Sequence, residues 1–180
     1  MSISRATRKQ NPKRSNKIMS HVSLKTTSVT GSRDSGKCLA VYVSGEPAAE
    51  IALDAGGVIG DGHYGKDPKR AIMLASTKAY DMASQSGIPL GEGALEENIL
   101  VDFDPYALPL ETRIHIGDVI VELAQYGTIC KSLTRIDSKL PKLLKGERGI
   151  FARVVRPGTV KAGDAIRIET IEHSITKETK

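Results

Sequence analysis

The stretch YGTICKSL, residues 126–133, sets Cys130 at the end of an apolar run with Lys131 directly after it. A thiolate is both a nucleophile and a metal ligand, and nearby cations favour it over the thiol. Arg148, in GERGIFARV (146–154), is a second cation that a fold could bring to the same place. A cysteine in a strand-rich chain is just as readily a small packed side chain. No His or Asp stands at a spacing that suggests a protease-like dyad. On these residues alone, Cys130 is open between packing and chemistry.

Two further stretches carry groups that could meet a ligand. GGVIGDGHYGKDPKR (56–70) holds Asp61 and His63 two positions apart among glycines. It reads either as a long turn, with Gly supplying positive φ, or as a loop whose backbone approaches a ligand, with Asp61 and His63 as polar contacts. The turn is the plainer reading, and the missing Gly-Lys-Ser/Thr ending excludes a P-loop. GEGALEENILV (91–101) places Glu96, Glu97 and Asn98 just before a strand. Adjacent residues on an extended chain face opposite ways, so these two carboxylates do not form a working pair. They are expected to be solvated loop acids.

The elements that must position these residues are mostly strands. CLAVYV, AEIAL, RAIMLA, NILV, RIHI, DVIVEL, IFARVV and DAIRIE are short apolar runs separated by Gly, Pro and Asp. Several alternate with period two, as where Ile166 and Ile168 oppose Arg167 and Glu169, which is the pattern of half-buried strands. IHIGDVIVEL (114–123) and TVKAGDAIRIE (159–169) both run through Gly-Asp into an alternating strand, and both Gly-Asp pairs are predicted to be hairpin tips. Ser76 is predicted to cap a helix through Gln85, with Tyr80, Met82 and Ala83 inward and Gly87 and Pro89 as the stop. A shorter helix is predicted over 141–145, between Pro141 and Gly146. The fold class is therefore mainly β, a single barrel-like domain with one or two covering helices.

Of 180 residues, 39% are hydrophobic and 26% charged, the balance of a globular protein. No apolar run approaches the ~20 residues of a membrane helix. Cys38 and Cys130 fit no zinc-ligand spacing and no disulfide scaffold, which reads as free thiols in a cytoplasmic protein. The net charge of +5 is unevenly spread: residues 1–37 hold nine of the 26 Lys and Arg but one of the 21 acids. That segment is thus +8 and the remainder −3. It is polar and without period, so a disordered basic tail over 1–37 is expected, with the folded domain over 38–171 and a polar tail over 172–180. The tail has no apolar segment followed by a small-residue cleavage site, which argues against secretion. Its low acid content leaves an organelle transit sequence open.

Read in order, the pieces resemble the MOSC domain, the module at the C-terminus of molybdenum cofactor sulfurases that also occurs as stand-alone bacterial proteins. The resemblance covers about 130 residues and rests on LAVYVS, GVIGDGHYG, RAIMLAS, GEGALEENILV, LETRIHIGDVIVEL, CKSL and RGIFARVVRPGTVKAGDAIRI in that order. It implies a closed β-barrel with the family's cysteine, here Cys130, at its mouth, carrying sulfur as a persulfide or ligating molybdenum of the molybdopterin cofactor. Asp61, His63, Asn98, Lys131, Arg148 and Gly149 are then expected around the cofactor. Pyridoxal phosphate is not expected, because it belongs to a separate domain of the fused sulfurases. A sulfur donor such as a cysteine desulfurase would be a partner protein. Two positions depart from the pattern: Ile129 stands where many members have Pro, and Gly62 where many have Arg. The second leaves the loop one cation short for holding a phosphate.

A reading of a different class is a non-catalytic barrel whose basic tail engages nucleic acid or another anionic partner. The −3 of the remainder and an aromatic content of 4% argue against a nucleic-acid-binding barrel face.

Overall fold

The computed structural model describes residues 27–128 and 131–174, and for 27–32 and 170–174 the backbone alone. Its strands, in chain order, begin with β1 (Thr27–Val43), β2 (Glu46–Ala48), β3 (Glu50–Asp54) and β4 (Gly57–Val58). Next come β5 (Ile72–Ser76), β6 (Ile99–Val101), β7 (Arg113–Ile116) and β8 (Val119–Tyr126). The last three are β9 (Ile150–Arg156), β10 (Gly158–Lys161) and β11 (Ala165–Ser174). Three helices intervene: α1 (Thr77–Gln85), α2 (Lys131–Ile136) and α3 (Leu140–Leu143).

Seven strands hydrogen-bond in the order β11-β7-β8-β9-β5-β6-β1, and β1 pairs back onto β11, so the sheet closes into a barrel. Every neighbouring pair in the ring is antiparallel except β5 with β6. Closure removes the sheet edges that would otherwise expose unpaired backbone groups. A smaller sheet, β10-β3-β4, lies beside it.

Period-two alternation decides what fills the barrel. On β8, Val119, Val121 and Leu123 are fully buried while Ile120 and Glu122 are only partly covered. Ile114, Ile116, Ile150 and Ile166 join them in one apolar interior. β5 is buried at all five positions. Ile72 and Leu74 face the interior, whereas Met73 and Ala75 enter a second cluster with Ala79 and Ala83 of α1, Leu133 of α2 and Leu140 of α3. Each fully buried side chain of this size contributes roughly 1.5–3 kcal/mol. β5 is thus a central strand held from both faces, the platform on which nearby loops rest.

α1 forms as its sequence predicts, with Ser76 Oγ accepting the Lys78 N–H at 3.1 Å. The first Gly-Asp pair is a hairpin tip, with Ile116 opposite Val119. The second is not. β10 pairs with β3 and β11 with β7 and β1, so Gly163-Asp164 is a turn that carries the chain from the small sheet into the barrel. Both turns place their glycine at positive φ, 56° at Gly117 and 89° at Gly163, and in the second Asp164 Oδ2 accepts the Lys161 N–H at 3.0 Å.

The domain also begins earlier than Cys38. Residues 27–37 belong to β1 and pair with β11 from Ser174 to Ala165, with an irregularity between Asp34 and Gly36. Backbone pairing needs no apolar alternation, and the partner strand lies at the far end of the chain, so local composition concealed it. Residues 172–174 are likewise strand rather than tail. Residues 1–26 and 175–180 lie outside the described residues. Among the described residues no helix is long and apolar enough to cross a membrane. Cys38 is packed in the barrel at 1% exposure, and burial, aided by the charge of Asp164, pushes its thiol pKa up to about 12.

Glu97 corrects the expectation of solvated loop acids. It is fully buried beneath α1, and the Tyr80 hydroxyl donates to its Oε1 at 2.5 Å. Oε2 has no partner among the described residues. Burial raises its pKa above the ordinary value, against the pull of the Tyr80 hydrogen bond and the Arg148 charge. The folded state therefore favours the protonated carboxyl, a contribution complete below the unfolded chain's titration near pH ~4.3 and lost as pH rises through the folded value. Glu97→Gln is neutral at every pH. Denaturant unfolding should show this variant gaining on the wild type as pH rises above the unfolded chain's titration. Glu97→Ala should instead cost about 1–3 kcal/mol throughout, because it strands the Tyr80 hydroxyl.

Candidate functional site

Where the β1–β2 hairpin, the 59–71 loop, the start of β6 and the start of β9 meet, they enclose a cavity of about 520 Å³. The hairpin turns on Ser44 and Gly45, both at positive φ (51° and 83°), the requirement of a two-residue type I′ turn. Glu96, also in the wall, has φ 62°. Ser44 and Glu96 are thus non-glycine residues in a sparsely populated backbone region, held there by their contacts, as is common at ligand-binding sites.

Asp61 ties the loop to the barrel. Its Oδ2 accepts the Ser44 N–H at 2.7 Å and an Asn98 Nδ2–H at 3.1 Å, and its Oδ1 accepts the His63 N–H at 2.8 Å. His63 Nδ1 lies 3.3 Å from the same Oδ1. Burial opposes ionisation of Asp61, but the His63 and Ser44 backbone donors outweigh it and hold its pKa below the ordinary value. Asn98 extends the tie: its Oδ1 accepts the Met73 N–H at 3.0 Å, joining β5 to the loop. His63 remains mostly exposed, its side chain 74% accessible.

Arg148 is the buried cation of the opposite wall, at 3% exposure. Its Nε and Nη2 donate to the Leu95 carbonyl at 3.2 and 3.0 Å, Nη1 donates to the Thr128 carbonyl at 2.7 Å, and Nη2 donates to Glu96 Oε2 at 2.9 Å. Gly127 and Gly149 make the same junction close. The Gly127 N–H donates to the Gly149 carbonyl at 2.8 Å, and a Cβ on Gly127 would fall 2.3 Å from that oxygen.

Of the residues singled out in the sequence, Asp61, His63, Asn98 and Arg148 line this one cavity. Gly149 lies behind the wall, its carbonyl accepting the Tyr106 hydroxyl at 2.6 Å. Lys131 is exposed at the start of α2, a helix the sequence reading missed, and is not in the wall. Ile129 and Cys130 lie outside the described residues, although Thr128, two positions before Cys130, is in the wall. Sequence reasoning passed over Ser44, Lys66 and Arg70, and read Glu96, which is also in the wall, as a solvated loop acid. Lys66 and Arg70 were inside the glycine-rich loop already marked, so their position was legible and their direction was not. Arg70 is oriented by Phe151, whose ring centroid is 4.3 Å from the guanidinium carbon.

A lysine cannot reproduce the fork by which Arg148 reaches two carbonyls and a carboxylate. Arg148→Lys should lower stability by about 2 kcal/mol in denaturant unfolding, since buried acceptors are left without donors.

A family model described as the MOSC domain matches residues 60–167. No curated protein matches the chain. Among solved structures, the YuaD protein of Bacillus subtilis is similar with a TM-score of 0.66 at 20% identity, over 80% of this chain and 99% of its own. YiiM of Escherichia coli is similar with a TM-score of 0.62 at 20% identity, over 79% of this chain and 73% of its own. YiiM of Geobacillus stearothermophilus gives 0.58 at 17% identity, over 77% and 75%. At such identities the solved structures establish the shared fold. The family match spans more than half the sequence, from the glycine-rich loop through Arg148 into β11, and the chain belongs to the MOSC domain family.

Proposed function

We propose that this protein works in molybdenum-cofactor or sulfur-transfer chemistry, with Cys130 as its reactive thiol. The observation that carries the reading is the cavity whose wall includes Arg148 and Thr128, because the chain runs from Thr128 through Ile129 to Cys130. A volume of about 520 Å³ suits a small organic ligand. Met73 and Phe151 offer apolar surface to such a ligand, and Ser44 and His63 offer polar contacts.

The donor set is compatible with a cofactor that brings its own metal ligands. Among the described residues no group of three or more His, Cys, Asp or Glu is placed to hold a metal ion. Cys130 would then be the one thiolate this chain adds, beside polar contacts from Ser44 and His63. When bound, molybdenum would supply the two-electron redox chemistry, and the chain's residues would orient the ligand and exclude water.

As a sulfur carrier, Cys130 acts through its own thiolate. The Cys130 Sγ attacks the terminal sulfur of a donor persulfide, the donor's S–S bond breaks, and the donor leaves as a thiolate. Cys130 then holds the transferred sulfur as a persulfide, with no net oxidation or reduction. The positive charge of Arg148, in the same wall as Thr128, supports a thiolate two residues on.

Incubation with a low-molecular-weight persulfide followed by mass spectrometry should place one added sulfur on Cys130 and none on Cys38. Cys130→Ser should abolish it without unfolding the protein. Molybdenum and pterin retained through purification, and lost in Cys130→Ser, would assign the ligand role instead. A native protein that gains no sulfur and retains neither molybdenum nor pterin would contradict the proposal.

A further inference from the structure

The cations of the chain are unevenly shared among its folded elements. Residues 131–145 hold five of them, Lys131, Arg135, Lys139, Lys142 and Lys145, against one acid, Asp137. That is +4 on α2, α3 and the turn between them, although the chain from residue 38 onward is −3 overall. All five are exposed, and none is in the cavity wall. Among the described residues none of the five makes an ion pair.

Local helix chemistry accounts for only part of this. Arg135 and Lys142 stand in last turns, where the helix dipole favours a cation. Lys131 opens α2 and Lys139 precedes α3, where the dipole favours an acid, yet neither first turn holds one. The two helices are fixed to the domain by Leu133, Leu140 and Leu144, fully buried in the cluster that includes Met73 and Phe151. Ile136 is the large apolar side chain they leave exposed, at 44%, and in the chain it stands between Arg135 and Lys139.

Position gives this charge a use. Thr128 is in the cavity wall, Lys131 opens α2, and Cys130 stands between them in sequence. The Cys130 Cα is one peptide unit, about 3.8 Å, from that of Lys131. A body resting on the helix pair is therefore brought to the thiol. Fixed cations beside an exposed apolar side chain match an acidic protein surface, which they would steer and orient. A nucleic acid is disfavoured, because residues 131–145 hold no aromatic side chain to stack on a base. An anionic membrane is disfavoured too, because the buried leucines leave the helices no apolar face to insert.

We propose that α2 and α3 form a docking surface for an acidic protein partner, which seats on Arg135, Ile136, Lys139 and Lys142 and so reaches Cys130. The inference deepens the proposed function and rests on that reading for what is exchanged at the thiol.

Fluorescence anisotropy with a labelled Glu-rich peptide carrying leucine, at fixed low ionic strength, tests the surface against the same peptide with Gln in place of Glu. Lys139→Glu/Lys142→Glu should weaken binding of the acidic peptide by about tenfold, and Ile136→Ser by about threefold. Residues 1–37 also attract an acidic probe, so Arg33→Glu/Lys37→Glu makes the same change of net charge at two exposed positions of β1. That variant should bind within about twofold of the wild type, because exposed charges beyond a Debye length are screened. All substituted side chains are exposed, and thermal melting should show every variant folded. A wild type that does not prefer the acidic peptide, or two double variants that weaken it equally, would overturn the surface. So would a DNA duplex or a phosphatidylserine vesicle that binds more tightly than the peptide and is lost in Lys139→Glu/Lys142→Glu. Sulfur loading of Cys130 from the small persulfide needs no docking and should be unchanged in that variant. Loading without peptide discrimination refutes the surface alone, and peptide discrimination without loading refutes the thiol chemistry alone.

Discussion

A guanidinium is costly to bury, and Arg148 is buried because four hydrogen bonds meet it there. Leu95 precedes β6, Thr128 follows β8, and Arg148 itself precedes β9, so one side chain holds three segments distant in sequence to a single point. A charge in that position is tolerated only when its partners are all in place, which makes the arrangement nearly all-or-none. The Gly127–Gly149 contact enforces the same junction through the backbone, at a separation no side chain would permit. The cavity's shape follows from this junction on one side and from Asp61 on the other.

The two anchors have opposite charge and similar logic. Asp61 is held as a carboxylate by backbone and amide donors, so it fixes the glycine-rich loop without needing a cation. Arg148 draws chiefly on carbonyl oxygens, with Glu96 as its one acid. Because both are satisfied by the scaffold, neither is the first group a ligand meets. His63, Lys66 and Arg70 retain unused hydrogen-bonding capacity, and all three sit on one loop resting on β5. β5 can serve as that support because it is packed from within by the barrel interior and from outside by the helices.

Much of this was legible in the sequence where local rules decide the structure. The β7–β8 tip, the Ser76 cap of α1 and the alternation on β8 are each fixed by residues within a few positions. What escaped depends on distant partners. The pairing of residues 27–37 with β11 is invisible in their composition, because sheet hydrogen bonds are made by the backbone. Glu97 looked like a solvated neighbour of Glu96 because its burial is set by α1 and Tyr80, not by its own strand. Asp61, His63, Asn98 and Arg148 were named together from resemblance, yet the division between Asp61, Asn98 and Arg148 as anchors and Lys66 and Arg70 as free cations emerges only from the hydrogen bonds.

The protein carries its own control for the chemistry proposed for Cys130, since Cys38 is a thiol of the same chain sealed in the barrel with its pKa pushed up to about 12. Limiting iodoacetamide, applied to the native protein between about pH 6 and pH 9 and followed by peptide mass spectrometry, compares the two directly. Cys130 should label first, at a rate already substantial at the acid end, while Cys38 stays unmodified until the protein unfolds. Labelling of Cys38 before Cys130 in the folded state, or a Cys130 that stays silent across the whole range, would contradict its role as the reactive thiol of the site.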